Sequence, residues 1–292
     1  GVEQRKALLD KGNYPHILAM TATPIPRTLA ITYHGDMDVT IIDQLPGNRQ
    51  PIKTFVVNSS QQEHIYNFIK KEVKAGSQCF IVYPIIEESE KLDLKAAETE
   101  FKKLSKDIFP ELNIGFIHGK LKPEDRDLKM KAFKENDLQI LVATTVIEVG
   151  IDIPNATVMV IENADRFGLA QLHQLRGRIG RGDKPGFCIL IPGKDEVSER
   201  LKIMESTSDG FEIADEDLRL RGPGDFFGTK QHGYMKLKIA DIARDGKIAR
   251  IARQYAFQII DVDPDLSFTD HTGILQKFKT EYAHMYAYLQ TG

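Results

Sequence analysis

The feature that most limits the fold is a repeated alternation between short apolar runs and longer segments with helical periodicity. The strand-like runs are HILAMT, DVTIID, IKTFVV, QCFIVYP, NIGFIH, LQILVAT, ATVMVIE and GFCILIP. Helix-like segments near 60–75, 90–109 and 123–136 lie between several of them. Continuously apolar strands that alternate with helices are typical of a parallel sheet covered on both faces. We therefore predict an α/β fold.

Parallel sheets of this kind bind their ligands at the carboxyl ends of the strands. The pairs Thr144–Thr145 and His118–Gly119 each follow an apolar run, so we expect them at that edge. Hydroxyls and free backbone N–H groups there can hold a nucleic-acid phosphate. The structural alternative is that the threonines cap a following helix and that the histidine is an ordinary core residue.

A chain of 292 residues is long enough for two packed domains. The Pro- and Gly-rich segment 45–51 marks the first boundary, and after Pro192 the sequence pattern becomes helix-like. Gly1 is followed at once by helix-like sequence, so we expect a piece of a longer protein. We predict the remnant of a preceding domain over 1–45, a complete α/β domain over 46–195, a helical hairpin with a loop over 196–233 and a helical extension over 234–292.

The charge balance limits how the chain can bind anions. Lys and Arg number 39 against 42 Asp and Glu, a net charge of −3, so any anion site must be local. No apolar run approaches the roughly 20 residues of a membrane span, and the N-terminus lacks signal-peptide features. Cys79 and Cys188 lie inside apolar runs. We expect a soluble cytoplasmic protein with reduced core cysteines.

One short segment concentrates positive charge. QLHQLRGRIGRG, residues 171–182, carries Arg176, Arg178 and Arg181 among glycines. Arginine offers a planar fork to phosphate oxygens and stays charged. Arg178 and Arg181 are spaced to meet a polyphosphate together, whereas the structural alternative is a surface cluster paired with acids such as Asp165 and Asp183.

Two further segments predict helices. Ile248, Ile251 and Tyr255 fall on one stripe of GKIARIARQYAFQII, which favours an amphipathic helix laid on a core. In LRLRGPGDFFGTKQHG, Arg219 and Arg221 end a helix that Gly and Pro then break. A mobile arginine-bearing helix end can push on a DNA backbone, or the arginines can simply satisfy helix carbonyls.

The arginine segment resembles motif VI of superfamily 2 helicases. MTATPIP, 20–26, resembles motif III, FIVYPIIEES, 80–89, motif IV, and VATTVIEVGIDIP, 142–154, motif V. YPIIEESEKLDLKAA and GDMDVTIIDQLPGNRQPI make the resemblance most specific to the RecG family of branched-DNA translocases. The Mfd family of transcription-repair coupling translocases is the alternative, since it is similar in motif III, motif VI and FEIADEDLRLRGPGDFFGTKQHG.

The resemblance implies a RecA-like second helicase lobe and assigns roles to particular residues. Arg178 and Arg181 are then the catalytic arginines at the γ-phosphate of ATP. Gly150, Asp152 and Gln174 lie near the nucleotide. The residues implied in DNA binding or in coupling ATP state to DNA grip are Thr21, Thr23, His118, Gly119, Thr144, Thr145, Arg219, Arg221 and Gln231.

The implied cofactors are ATP and Mg²⁺, held mainly by an upstream lobe. No GxxxxGK[ST] loop occurs, since each Gly-Lys pair is followed by Leu, Asp or Ile, and no DExH box is present. We expect this chain to carry half of an ATPase site and to be inactive alone, with no resident metal. The implied partners are branched duplex DNA at replication forks and Holliday junctions and the upstream lobe and wedge domain of the same protein, with no membrane.

A hypothesis of a different class remains open at this point. The same surface would serve a natural non-catalytic module that binds nucleic acid or protein. Such a module predicts that Gly1 is a true beginning, whereas the helix-like GVEQRKALL and the isolated motif III favour the motor lobe.

Overall fold

The computed structural model of the chain contains two compact units, Thr40–Asp217 and a second unit formed by Gly1–Val39 with Leu218–Gly292. Residues 16, 18, 20–25, 40–44, 50–85, 90–144, 152–194, 196–221 and 245–281 are described, without the side chains of 90, 91, 246, 247 and 250.

The first unit is built on one parallel sheet. Its strands are β1 Lys53–Val56, β2 Gln78–Tyr83, β3 Ile114–Ile117, β4 Ile140–Thr144, β5 Ala156–Ile161 and β6 Phe187–Leu190. They lie in the order β1-β6-β5-β2-β4-β3, and every pair is parallel. All residues of β2, β4 and β5 are buried, because these strands lie inside the sheet and helices cover both faces. The predicted α/β fold is confirmed.

Helices connect the strands at the predicted places. The helices between strands are α1 Gln62–Lys74, α2 Glu90–Lys103, α3 Pro123–Lys134 and α4 Leu169–Arg176. Two more helices follow β6, α5 Glu199–Ser206 and α6 Gly210–Arg221. Pro123 stands in the first turn of α3, where its missing N–H is harmless. Gly76 stops α1 with a φ of 82°, a value that glycine adopts without strain. One π turn, Leu104–Ile108, continues α2.

The core of this unit lies between the helices and the sheet. Ile69, Phe133 and Ile140 are fully buried. Tyr66 packs edge-on against Phe109, with ring centroids 5.5 Å apart. Such edge-to-face pairs are favoured by the ring quadrupole and add to the area burial. Further core residues are Ile81, Leu104, Leu141, Met159, Ile161, Leu169 and the free cysteines Cys79 and Cys188.

The winding of the sheet reverses between two neighbouring strands. β2, β3 and β4 occupy one side of the sheet, and β5, β6 and β1 the other, so the switch lies between β5 and β2. All carboxyl ends share one edge, since every pairing is parallel. Each connecting helix must therefore return the chain to the opposite, amino edge.

The second unit contributes two described helices, α7 Gly246–Val262 and α8 Thr272–Glu281. The predicted amphipathic helix is present as α7, but the prediction that its stripe packs on a core is wrong for three of its members. Ile248, Ile251 and Tyr255 remain 62%, 52% and 61% exposed.

Two predicted strands precede the sheet. Residues 40–43 of DVTIID form no strand, and neither do the described residues of HILAMT, which are 16, 18, 20 and 21. Within the described ranges, no helix is both long and apolar enough to span a bilayer.

Candidate functional site

The arginine segment lies at the amino edge of the sheet. The Gly180 N–H donates to the Ala156 carbonyl oxygen at 3.1 Å, and Ala156 is the first residue of β5. The expectation that site residues gather at carboxyl strand ends is therefore wrong for Arg178 and Arg181. The reason is geometric: α4 starts after β5 and has eight residues. At 1.5 Å per residue it runs about 12 Å back along the sheet.

Two glycines allow the segment to lie close against the strand entrance. Gly180 has a φ of 64°, and a Cβ there would be 3.2 Å from Ile52 Cγ1. A Cβ on Gly182 would be 2.8 Å from the Pro154 carbonyl oxygen. Only glycine fits both the left-handed turn and this close approach without a shift of the neighbours. The arginine between these glycines is thereby held next to the loop that precedes β5.

Arg181 pairs with a residue of the segment that resembles motif V. Its Nη1 lies 3.6 Å from Asp152 Oδ1, and its Nε donates to the Gly177 carbonyl oxygen at 3.3 Å. The side chains of Arg181 and Asp152 are 29% and 64% exposed. The alternative partner Asp165 instead accepts from the Gly193 N–H. Asp152 from the motif V segment and Arg181 from the motif VI segment, both of which the resemblance assigns to the nucleotide, therefore lie in contact.

Arg178 lies close enough to Arg181 for their charges to interact. Burial lowers the pKa of the Arg178 guanidinium, and the positive charge of Arg181 lowers it further. Arginine nevertheless stays protonated at neutral pH. Two guanidiniums that repel each other form a site suited to a polyanion such as a triphosphate. Gln174 is exposed on α4, and Gly150 lies outside the described residues.

Arg176 is the arginine to which sequence reasoning gave no role. It is only 3% exposed, and burial lowers its pKa. Its Nη1 donates to the carbonyl oxygens of Met204 and Thr207, each at 2.9 Å. The sequence shows an arginine two residues before Arg178 but not its burial. Its acceptors are backbone atoms, which no side-chain pattern reveals.

The carboxyl edge carries the second predicted group. His118 follows β3 and is partly buried, and its Nδ1 accepts the Lys120 N–H at 3.3 Å. Burial is the largest influence on the His118 pKa and lowers it, and Lys129 and Lys120 lower it further against an opposing effect of Glu98. Gly119 is exposed beside it. A neutral imidazole in a turn with lysines nearby suits a phosphate-backbone contact.

Thr144 ends β4 at the same edge and is fully buried. Its hydroxyl has no hydrogen-bond partner in the part of the chain that the structure describes. Thr145, the neighbouring candidate, lies outside that part.

A partly buried carboxyl directly after β5 was not predicted from the sequence. Burial raises the pKa of Glu162 to about 7, although a hydrogen bond with Gln62 opposes the shift. Glu162 in turn contributes to the raised pKa of Tyr66, about 12, and of Tyr83. Glu162 directly follows β5 and Tyr83 ends β2, so the two residues lie on the two sides of the winding switch, where parallel sheets open a crevice.

The remaining predicted residues belong to the second unit. Thr21 Oγ1 accepts the Thr23 N–H at 3.1 Å, which makes a local turn. Arg219 and Arg221 are exposed in the last turn of α6. Gln231 lies outside the described residues. Within the part of the chain that the structure describes, no three or more His, Cys, Asp or Glu residues form a cluster suited to a metal.

Two protein families match this chain. The model "Helicase conserved C-terminal domain" matches residues 60–183, and "ATP-dependent DNA helicase RecG, domain 3, C-terminal" matches residues 207–284. The ATP-dependent DNA helicase RecG of Synechocystis sp. is 53% identical over 268 residues, 91% of this chain and 32% of that protein. RecG of Thermotoga maritima is 51% identical over 265 residues, 90% of this chain and 34% of that protein.

A solved structure of RecG bound to a three-way DNA junction is similar with a TM-score of 0.64 and 46% identity. The similarity covers 82% of this chain and 31% of that one. The chain thus spans about a third of the length of these two curated relatives, 32% and 34%.

Proposed function

Because the chain belongs to the RecG family, we propose that it is the second motor lobe, with hairpin and C-terminal extension, of an ATP-dependent helicase-translocase of branched DNA. The full-length protein acts in the cytoplasm in DNA repair, recombination and replication-fork reversal. The relatives are RecG proteins and one family model is specific to RecG, so the Mfd alternative is not favoured. The observation that carries the proposal is the arginine pair beside Asp152.

Arg178 and Arg181 stabilise the charge of the transferring phosphoryl group of ATP. The pair is positively charged and fixed by glycine turns, and Arg181 is partly exposed for a partner outside this lobe. Preorganised charge is the largest contribution that a protein makes to phosphoryl transfer. Gly150, Asp152 and Gln174 flank the nucleotide. Mg²⁺ and the phosphate loop belong to the upstream lobe, so hydrolysis requires closure of the two lobes.

DNA binds at the opposite edge of the sheet. His118, Gly119, Thr144 and Thr145 hold the phosphate backbone of the tracking strand. The position of His118 and Gly119 after β3, and of Thr144 as the last residue of β4, supports this proposal. Backbone contacts position DNA without reading its sequence. The substrate is branched duplex DNA, such as replication forks and Holliday junctions, and a related RecG binds a three-way junction. Thr21, Thr23, Arg219, Arg221 and Gln231 couple ATP state to DNA movement.

The test uses the full-length protein and a three-way DNA junction. Arg181→Ala should lower the DNA-stimulated rate of ATP hydrolysis by about 10³-fold while ATP and DNA still bind. The control is Lys184→Ala, which removes an exposed cation from the same loop and should leave the rate near wild type. Unchanged hydrolysis in Arg181→Ala would reject the catalytic role of Arg181. Absence of DNA-stimulated hydrolysis in the wild type would remove the motor assignment and leave the non-catalytic binding module as the better explanation.

A further inference from the structure

The environment of Arg176 differs from that of the two arginines beside it. Arg178 is half-buried and Arg181 partly exposed, whereas Arg176 is 3% exposed. A buried guanidinium needs acceptors for its donors, because losing water is costly for a charge. Its Nη1 donates to two backbone carbonyls and lies 3.4 Å from Thr54 Oγ1, and its Nη2 lies 3.3 Å from His173 Nδ1.

The two carbonyls belong to one place in the chain, the end of α5. Met204 is in the last turn of that helix, and Thr207 is the residue that caps it. The last carbonyls of a helix have no intrahelical donor and carry the negative end of the helix dipole. A buried cation is well matched to this end, so Arg176 both satisfies the carbonyls and holds α5 against the end of α4.

The same residues form the turn of the helical hairpin. Thr207 Oγ1 accepts the Asp209 N–H at 3.1 Å, and Asp209 Oδ1 accepts the Phe211 N–H at 2.7 Å. Asp209 thereby caps the start of α6. The hydrogen bond from Arg176 to the Thr207 carbonyl oxygen therefore holds the turn that determines where α6 begins.

A second contact fixes α5 to the sheet. Glu205 Oε1 accepts the Val56 N–H of edge strand β1 at 2.9 Å. Leu201 and Met204 are fully buried. The helix is thus held along its length by the sheet, while its C-terminal end is held by the arginine segment through Arg176.

We propose that Arg176 is a positioning residue that transmits displacement of the Arg178–Arg181 segment to the hairpin turn. This inference rests on the proposed function, because it assumes that those arginines move when ATP binds. Arg176 ends α4 and is separated from Arg178 by a single glycine. A shift of the segment cannot leave α5 in place without breaking two hydrogen bonds of a buried charge, which is unfavourable.

The variants are Arg176→Met and Arg176→Lys in the full-length protein. Met keeps apolar volume and removes every donor, whereas Lys keeps the charge but cannot reproduce the fork. The matched control is Gln78→Met, because buried Gln78 also donates to two backbone carbonyls, those of Phe133 and Leu138. Gln78 is the first residue of β2, and neither of these hydrogen bonds involves α5 or α6.

The measured quantity is the number of base pairs of a three-way junction separated per ATP hydrolysed. We expect this ratio to fall about tenfold in Arg176→Met and by less in Arg176→Lys, with ATP hydrolysis near wild type. Gln78→Met should lower thermal stability and leave the ratio unchanged. A ratio that stays at the wild-type value in Arg176→Met overturns the inference, whether both rates fall together or neither changes.

Two further outcomes are decisive. If Arg176→Met does not fold, the ratio in Arg176→Lys decides, and an unchanged ratio there rejects the transmission role. If the wild-type protein shows no DNA-stimulated ATP hydrolysis, the proposed function itself fails and this inference falls with it. If the wild type is active and the ratio is unchanged in the Arg176 variants, only this inference fails and the proposed function stands.

Discussion

Arg181 Nη1 lies 3.6 Å from Asp152 Oδ1 at the amino edge of the parallel sheet. The pair joins the loop before β5 to the segment after α4. His118 follows β3 and Thr144 is the last residue of β4, so both candidates lie at the carboxyl edge. The lobe therefore keeps its two groups of candidate residues at opposite ends of the same strands. Under the proposed function, this separation allows one sheet to face a nucleotide at one edge and a DNA backbone at the other.

Asp152→Asn should weaken ATP hydrolysis without weakening the fold. Exposed ion pairs contribute at most about 1 kcal/mol to stability, so the free energy of unfolding should change by less than that. The carboxylate orients the Arg181 fork, and misplacing a catalytic group is costly, so kcat of the full-length protein should fall about tenfold. Steady-state ATP hydrolysis on a DNA junction and a thermal melt measure the two quantities.

Asp183→Asn is the control for this prediction. It removes the same charge from an exposed residue two positions after Arg181. We expect its kcat to match wild type. Equal losses in both variants would show that the local negative charge, and not the Asp152–Arg181 contact, matters.

Glu162→Gln should stabilise the first unit at high pH. The folded-state pKa is raised from 4.5 to about 7, mainly by burial. The unfolded chain therefore releases this proton first, and wild type loses stability as pH rises from about 4.5 to 7. Gln removes the penalty and can still accept from Gln62, so the gain should be about 2 kcal/mol at pH 8.5 and vanish near pH 4. Urea denaturation followed by circular dichroism at both pH values measures it.

Glu111→Gln removes a carboxyl that is exposed in a loop and serves as the control. Its free energy of unfolding should differ from wild type by less than about 0.5 kcal/mol at pH 8.5. A gain in Glu162→Gln that is the same at pH 4 and pH 8.5 would contradict a titrating carboxyl.

The sequence predicted the sheet well, because buried parallel strands are continuously apolar and their ends are marked by Gly and Pro. It did not predict which edge holds the arginines. That position follows from the length of α4, which must bring the chain back past β5 before Gly180 can meet Ala156. Arg176 was inconspicuous for a different reason: its acceptors are the carbonyls of Met204 and Thr207. Because every residue has a backbone carbonyl, the residue types in the sequence do not show which carbonyls accept from an arginine.

Asp263→Asn should loosen the connection between α7 and α8. Burial raises the Asp263 pKa, but hydrogen bonds from Phe268, Ser267 and His271 outweigh it and lower the pKa from 3.8 to about 2. A lowered carboxyl pKa contributes stability above about pH 4 that is lost as the pH falls toward 2. At pH 7 the Ser267 and Phe268 amides, 2.9 and 2.8 Å from the carboxylate, should exchange faster in the variant. Hydrogen exchange followed by mass spectrometry measures this.

The neighbouring Asp265→Asn is the control, since Asp265 is exposed in the same connection. Its exchange should resemble wild type at pH 7. If Asp263→Asn exchanges no faster than this control, the carboxylate does not organise the connection.

Substitution of the glycines around Arg181 should separate two kinds of steric cost. Gly180→Ala places a Cβ at a φ of 64°, and Gly182→Ala places one 2.8 Å from the Pro154 carbonyl oxygen. The first costs about 1 kcal/mol of backbone strain, with the flexible Ile52 giving way. The second forces backbone away from backbone and should cost about 2 kcal/mol or more, displacing Arg181 from Asp152. ATP hydrolysis should therefore fall further in Gly182→Ala than in Gly180→Ala.

Gly273→Ala tests whether such losses come from the site or from any added methyl group. Gly273 lies in α8, and a Cβ there would have no atom within 4 Å. Alanine favours a helix by up to about 1 kcal/mol over glycine, so this variant should be as stable as wild type or slightly more stable. Unfolding midpoints ranked Gly182→Ala, Gly180→Ala, wild type and Gly273→Ala from lowest to highest are expected. If Gly182→Ala were as stable and active as wild type, the close approach to Pro154 would not be what holds Arg181 in place.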